Sequence, residues 1–146
     1  MFIILPVKPA VDNHWAIRVT RKMQKGPVRC SLKISRNTIT SLGSCSERMD
    51  DHYSTEEDLL AHVQGLELMS LTRKDECCGF GGTFAVFEEA ISVKMGKDRI
   101  QDHLNNDVEV ITGADHSCLM HLEGLINRNK QPIRVMHIAE ILNSSI

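Results

Sequence analysis

A chain of 146 residues, 42% apolar and 25% charged, has the length of one globular domain of about 100 to 200 residues, which argues against a two-domain enzyme. No run approaches the roughly 18 consecutive apolar residues of a membrane helix: the N-terminal run Phe2 to Val7 is broken by Pro6 and followed by Lys8, so neither a membrane span nor a secretory signal is expected. The formal net charge of -2 hides an asymmetry, with 9 Lys and Arg against 2 Asp and Glu in residues 1–48, and 8 against 17 in the remainder.

In chain order, residues 1–48 hold short β-like patches at Phe2 to Val7, Ala16 to Thr20 and Val28 to Ile34, punctuated by Pro6, Pro9, Gly26 and Pro27 and without a helical period. The charge break sets them apart as a basic N-terminal segment, a remnant of different origin or an extension of a sheet edge, ahead of a domain over residues 49–146. A basic arm for nucleic acid or a membrane surface is the rival reading. Phe2 and Trp15 are its only aromatics, too few for base stacking, which weighs against nucleic acid.

From Ser54 the signals are orderly. Ser54 and Glu57 form a capping box, and Leu59, Leu60 and Val63 form the apolar stripe of a short helix ending at Gly65. Leu66 to Leu71 reads as a strand leading through Arg73 to Glu76 into the loop Cys77-Cys78-Gly79-Phe80-Gly81-Gly82. A second helix is expected over Phe87 to Leu104, with Ile91, Met95 and Ile100 inward and Gly96 weakening its middle. Val108 to Thr112 reads as a buried strand, Gly113 to Ser117 as a turn, and Cys118 to Ile126 as a helix. A strand over Ile133 to Met136 and a helix over Ile138 to Leu142 close the chain. Strands alternating with helices predict an α/β fold with a mostly parallel sheet flanked by helices.

Five cysteines, two of them adjacent at Cys77 and Cys78, do not make a secreted disulfide framework. A reducing cytoplasm and thiolate chemistry fit better. In open parallel sheets, ligands bind where loops leave the carboxyl ends of the strands. Cys77 and Cys78 fall on one such loop, and Cys118 falls at the start of a helix whose dipole is expected to stabilise a thiolate. Adjacent strand residues face opposite ways, so both cysteines can address one centre only if the chain turns, which Gly79 permits. His121, one turn after Cys118, or His116 could complete a mixed sphere, and Cys45 is a more distant thiol. Against these stand plainer readings: free cysteines pack as small hydrophobes, histidines face solvent or cap helices, and His137 is a satisfied structural residue. The glycine loop lacks the lysine and spacing of a phosphate loop. No residue resembles a substrate base or nucleophile, so no catalytic residue is assigned.

The runs Gly65-Leu66-Glu67-Leu68, Asp75-Glu76-Cys77-Cys78-Gly79-Phe80-Gly81-Gly82-Thr83-Phe84, Cys118-Leu119-Met120 and Ile133 to Glu140 resemble the C-terminal cysteine-rich (CCG) domain of the family that unites lactate-utilisation protein A, the glycolate oxidase iron–sulfur subunit and the cysteine-rich subunit of heterodisulfide reductase. The likeness is read from near Met49 to the end. It implies an electron-transfer subunit or fragment of a cytoplasmic complex oxidising L-lactate or glycolate, non-catalytic by itself, with a ferredoxin-like iron–sulfur subunit and a third subunit as partners. It implies that Cys77, Cys78 and Cys118 bind an iron–sulfur cluster of the 4Fe–4S type, beside Gly79, Gly81 and Gly82. The fourth ligand stays open between Cys45, His121 and another chain. The alternatives are a zinc-stabilised structural or interaction module with a Cys3His site and a truncated, inactive CCG domain.

Overall fold

The computed structural model describes residues 28–29, 36–43 and 55–143. The β-like patches at Phe2 to Val7 and Ala16 to Thr20, the Ser54 cap and Cys45 lie outside the described residues. Among the described residues are six strands, β1 (Val28–Arg29), β2 (Thr38–Ser41), β3 (Val63–Gln64), β4 (Glu67–Leu68), β5 (Val110–Gly113) and β6 (Arg134–His137), and five helices. These are α1 (Thr55–Ala61), α2 (Thr83–Phe87), α3 (Glu89–Asn105), α4 (His116–Asn129) and α5 (Ile138–Asn143).

The main sheet has the order β4-β2-β5-β6, with every pairing parallel, as the alternation of elements predicts. β1 and β3 form a separate parallel pair. Central parallel strands are covered on both faces, and β5 is buried at all positions. Its Ile111 packs with Ile100 of α3 and Leu119, Leu122 and Leu125 of α4. Its Val110 packs with Ile39, Leu60 of α1 and Ile138 and Ile141 of α5 on the opposite face. The two-residue alternation of a strand thus divides the core into two layers.

Several expectations need correction. Within residues 1–48, expected as a remnant or an edge extension, the described β2 is an interior strand between β4 and β5, with Ile39 and Thr40 fully buried. The expected strand over Leu66 to Leu71 narrows to Glu67–Leu68, and the rest becomes the approach to the cysteine loop. The expected helix over Phe87 to Leu104 is present as α3, Glu89–Asn105, set off from the short α2 at Glu88, whose φ of -119° is not helical. Its buried face holds Ser92, Gly96, Arg99, Ile100, Asp102 and His103, whereas Ile91 is 52% exposed. The periodicity of apolar residues misplaced that face because small and polar side chains make the contacts.

Candidate metal centre

Parallel strands put the loops after β4 and β5 on the same edge of the sheet, and both cysteine sites lie there. Cys77 is half-buried, and Cys78 and Cys118 are buried. Hydrogen bonding with Cys118, and more weakly with Cys77, favours the ionised form of the Cys78 thiol. Gly79, at φ +88°, makes the turn that lets adjacent side chains share one centre. Its amide points at Cys77 Sγ at 3.5 Å, and the Phe80 amide points at Cys78 Sγ at 3.4 Å.

The electrostatics differ from the expectation of a Cys118 thiolate. The N-cap of α4 is Asp115, whose carboxylate accepts from the Ser117 amide at 2.9 Å, the Ser117 hydroxyl at 2.6 Å and the Cys118 amide at 3.4 Å. Hydrogen bonding to Ser117 holds the Asp115 carboxyl below its usual range. The positive end of the helix is therefore already occupied by an anion. The hydrogen bond to Cys78, burial, and the negative charges of Cys78 and Asp115 push the Cys118 thiol up. The hydrogen bond from Cys118 lowers Cys78 to about 7, with the Phe80 amide and Cys77 assisting against burial. Cys78 is thus the more readily ionised thiol of the pair.

The loop is seated from below by α3. The Ser92 hydroxyl, 1% exposed, donates to the Gly79 carbonyl at 2.8 Å. A Cβ on Gly79 would meet the Ser92 carbonyl at 2.5 Å, and one on Gly96 would meet Leu125 Cδ1 at 2.4 Å and His121 Nε2 at 2.9 Å. Asp115, Ser92 and Phe80 are site residues that apolar periodicity and motif spacing do not single out. Asp115-His116-Ser117 carries an N-cap signal, and Ser92 and Gly96 share the spacing of small residues at a close helix contact.

The other candidates fall into place around these thiols. Gly81 and Gly82 start α2, the Gly81 carbonyl accepting from the Phe84 amide at 3.1 Å. His121 stands against Phe80, ring centroids 6.0 Å apart, and lines an open cleft of ≈ 490 Å³ with Phe80, Met120 and Leu125. Its Nε2 is buried and has no hydrogen-bond partner among the described residues. His116 lies beside His137, centroids 6.1 Å apart. His137 is satisfied at both nitrogens, by the Ala114 carbonyl at 2.9 Å and the Ala139 amide at 3.1 Å. Among the described residues, no group of three or more His, Cys, Asp or Glu side chains is arranged to hold a metal ion. No helix among them is long and apolar enough to cross a membrane.

The sequence profile of the CCG cysteine-rich domain matches residues 39–123. The chain belongs to the CCG cysteine-rich domain family. Proteins named lactate utilization protein A are similar to this CCG domain. That of Bacillus licheniformis is 50% identical over 86 residues, 59% of this chain and 36% of the relative, and that of Bacillus subtilis strain 168 is 45% identical over the same length and shares. That of Shouchella clausii is 38% identical over 132 residues, 90% of this chain and 53% of the relative. The chain thus spans only 36% to 53% of the length of these curated relatives. A likeness starting near Met49 is corrected by both findings: the profile begins at Ile39, and an alignment over 90% of the chain runs well into residues 1–48. Membership in a cysteine-rich family, with soft sulfur donors gathered at one edge, points to a metal or iron–sulfur cofactor.

Proposed function

We propose that this CCG domain is an electron-transfer component that carries an iron–sulfur cluster, of the 4Fe–4S type, in a cytoplasmic complex oxidising L-lactate or glycolate. The observation that carries the reading is the meeting of Cys77, Cys78 and Cys118 at the carboxyl edge, with two backbone amides directed at their sulfurs. Thiolates are the donors that iron–sulfur groups take, and N–H···S hydrogen bonds tune their potentials. The name shared by the relatives supplies the lactate context. A ferredoxin-like iron–sulfur subunit and a third subunit are the proposed partners.

Cys77, Cys78 and Cys118 would hold the cluster, with the fourth position taken by Cys45, His121 or a second chain. When bound, it supplies a one-electron carrier. The chain's own residues prepare that binding. Cys78 presents a thiolate whose charge the Phe80 amide spreads, the Gly79 amide meets the Cys77 sulfur, and burial excludes water. Cys118 must lose its proton on binding, and its sulfur donates to Asp115 Oδ2 at 3.6 Å beforehand.

Anaerobic reconstitution of the full chain with iron and sulfide tests the proposal. Stoichiometric uptake of both with visible absorbance is expected. Zinc bound stoichiometrically, with neither iron nor sulfide taken up, would overturn it in favour of a zinc-held assembly module.

A further inference from the structure

Deepening the reading above, on which its second readout rests, we propose that Ser92 is a positioning residue of the thiolate centre. Its hydroxyl fixes the Gly79–Phe80 peptide plane and so aims the Phe80 amide at the Cys78 sulfur.

One planar peptide unit links the two contacts. The Gly79 carbonyl and the Phe80 amide belong to the same trans plane and point in opposite directions. Ser92 Oγ takes the carbonyl at 2.8 Å, and the amide on the other side of that plane lies 3.4 Å from Cys78 Sγ. Gly79 has a left-handed φ of +88°, a position where a glycine peptide has wide freedom to rotate. A tether on the carbonyl is what removes that freedom. Ser92 is suited to the task because it is fully enclosed in the first turn of α3. A buried serine in a helix commonly returns its hydroxyl to its own helix backbone, whereas this one spends it on another segment. The surrounding space enforces the same geometry. Any Cβ on Gly79 would strike the Ser92 carbonyl, Met95 Cβ and the Gly96 amide nitrogen, at 2.5, 2.9 and 3.3 Å, so the loop lies directly on the backbone of α3. Hydrogen bonds from amides to a cysteine sulfur withdraw charge from it and raise the potential of a cluster held there.

Ser92→Ala removes the hydroxyl without adding an atom and favours the helix, so the fold is retained. In the reduced, metal-free full chain, hydrogen exchange followed by nuclear magnetic resonance should show the Phe80 amide opening about tenfold more readily, the equivalent of one ordinary hydrogen bond. Exchange at Val110 and Ile111 should be unchanged. In the iron- and sulfide-loaded chain the reduction potential should become more negative. Unchanged exchange at Phe80, an equal rise throughout the core, or an unchanged potential in the loaded variant would each overturn the assignment. If the wild-type chain takes up no iron and sulfide, the functional reading fails, while the exchange experiment still decides the role of Ser92.

Discussion

His103 is fully buried, and its Nδ1 lies 2.6 Å from the Thr40 hydroxyl of β2. Burial, with the Arg99 charge nearby, lowers it from 6.5 to about 3. The unfolded chain takes up this proton below about pH 6.5, but the folded chain does not until about pH 3. Stability is therefore full above pH 6.5 and falls as the pH drops through that window, by on the order of 3 kcal/mol at pH 4. Urea unfolding at pH 7, 5 and 4 should show the loss, and His103→Gln should flatten the profile by one proton. An unchanged slope would remove His103 from the account. Cys78 is the residue on which the cofactor reading turns. Cys78→Ser replaces a soft donor that is easily ionised with a hard hydroxyl, so iron content and visible absorbance after reconstitution should collapse while far-ultraviolet circular dichroism stays as in the wild type.

At the scale of elements, α3 decides how the cysteine loop and α4 meet. A glycine inside a helix ordinarily costs about 1 kcal/mol relative to alanine, and Gly96 reads from the sequence as a weak point. In the fold it is where α4 crosses closely, with Leu125 Cδ1, His121 Nε2 and the Cys78 carbonyl 2.4, 2.9 and 3.3 Å from where a Cβ would sit. Gly96→Ala should therefore destabilise, against helix propensity, by about 1 to 3 kcal/mol through overpacking. A urea midpoint shifted upward would show that the helices separate freely and would refute the close crossing.

Across the whole molecule, Arg99 ties together segments far apart in sequence. It has no exposed surface. Its guanidinium donates to the Leu42 carbonyl after β2 at 2.9 Å and to the Arg73 carbonyl in the loop after β4. Asp102, 3.8 Å from Arg99, accepts from the Arg73 amide at 3.0 Å. A charge buried among acceptors is strongly coupled to its partners, and removing one side commonly costs about 3 to 5 kcal/mol. Arg99→Met should cost that order in urea unfolding, and it should expose the Cys77 side of the carboxyl edge to faster alkylation. Wild-type stability and thiol reactivity in the variant would show that this network does not organise the edge.

Much of the architecture could be read along the chain because its causes are local. Alternating strand and helix signals predict the parallel order, and Cys77-Cys78-Gly79 announces a turn where two thiols can share a centre. The resemblance carried by that motif agrees with the family match. What the sequence could not decide depends on distant contacts. The place of Thr38–Ser41 inside the sheet follows from pairing with β4 and β5, which outweighs the basic composition of its surroundings. The buried face of α3 follows from the close approach of backbones at Ser92 and Gly96, which apolar periodicity does not register. Cys78 ionises more readily than Cys118 because Asp115 caps α4 and hydrogen bonding with Cys118 lowers Cys78. Local sequence determined the elements and supplied the donors; only the tertiary structure decided which donor ionises more readily, because electrostatic and packing energies depend on distances that the chain acquires on folding.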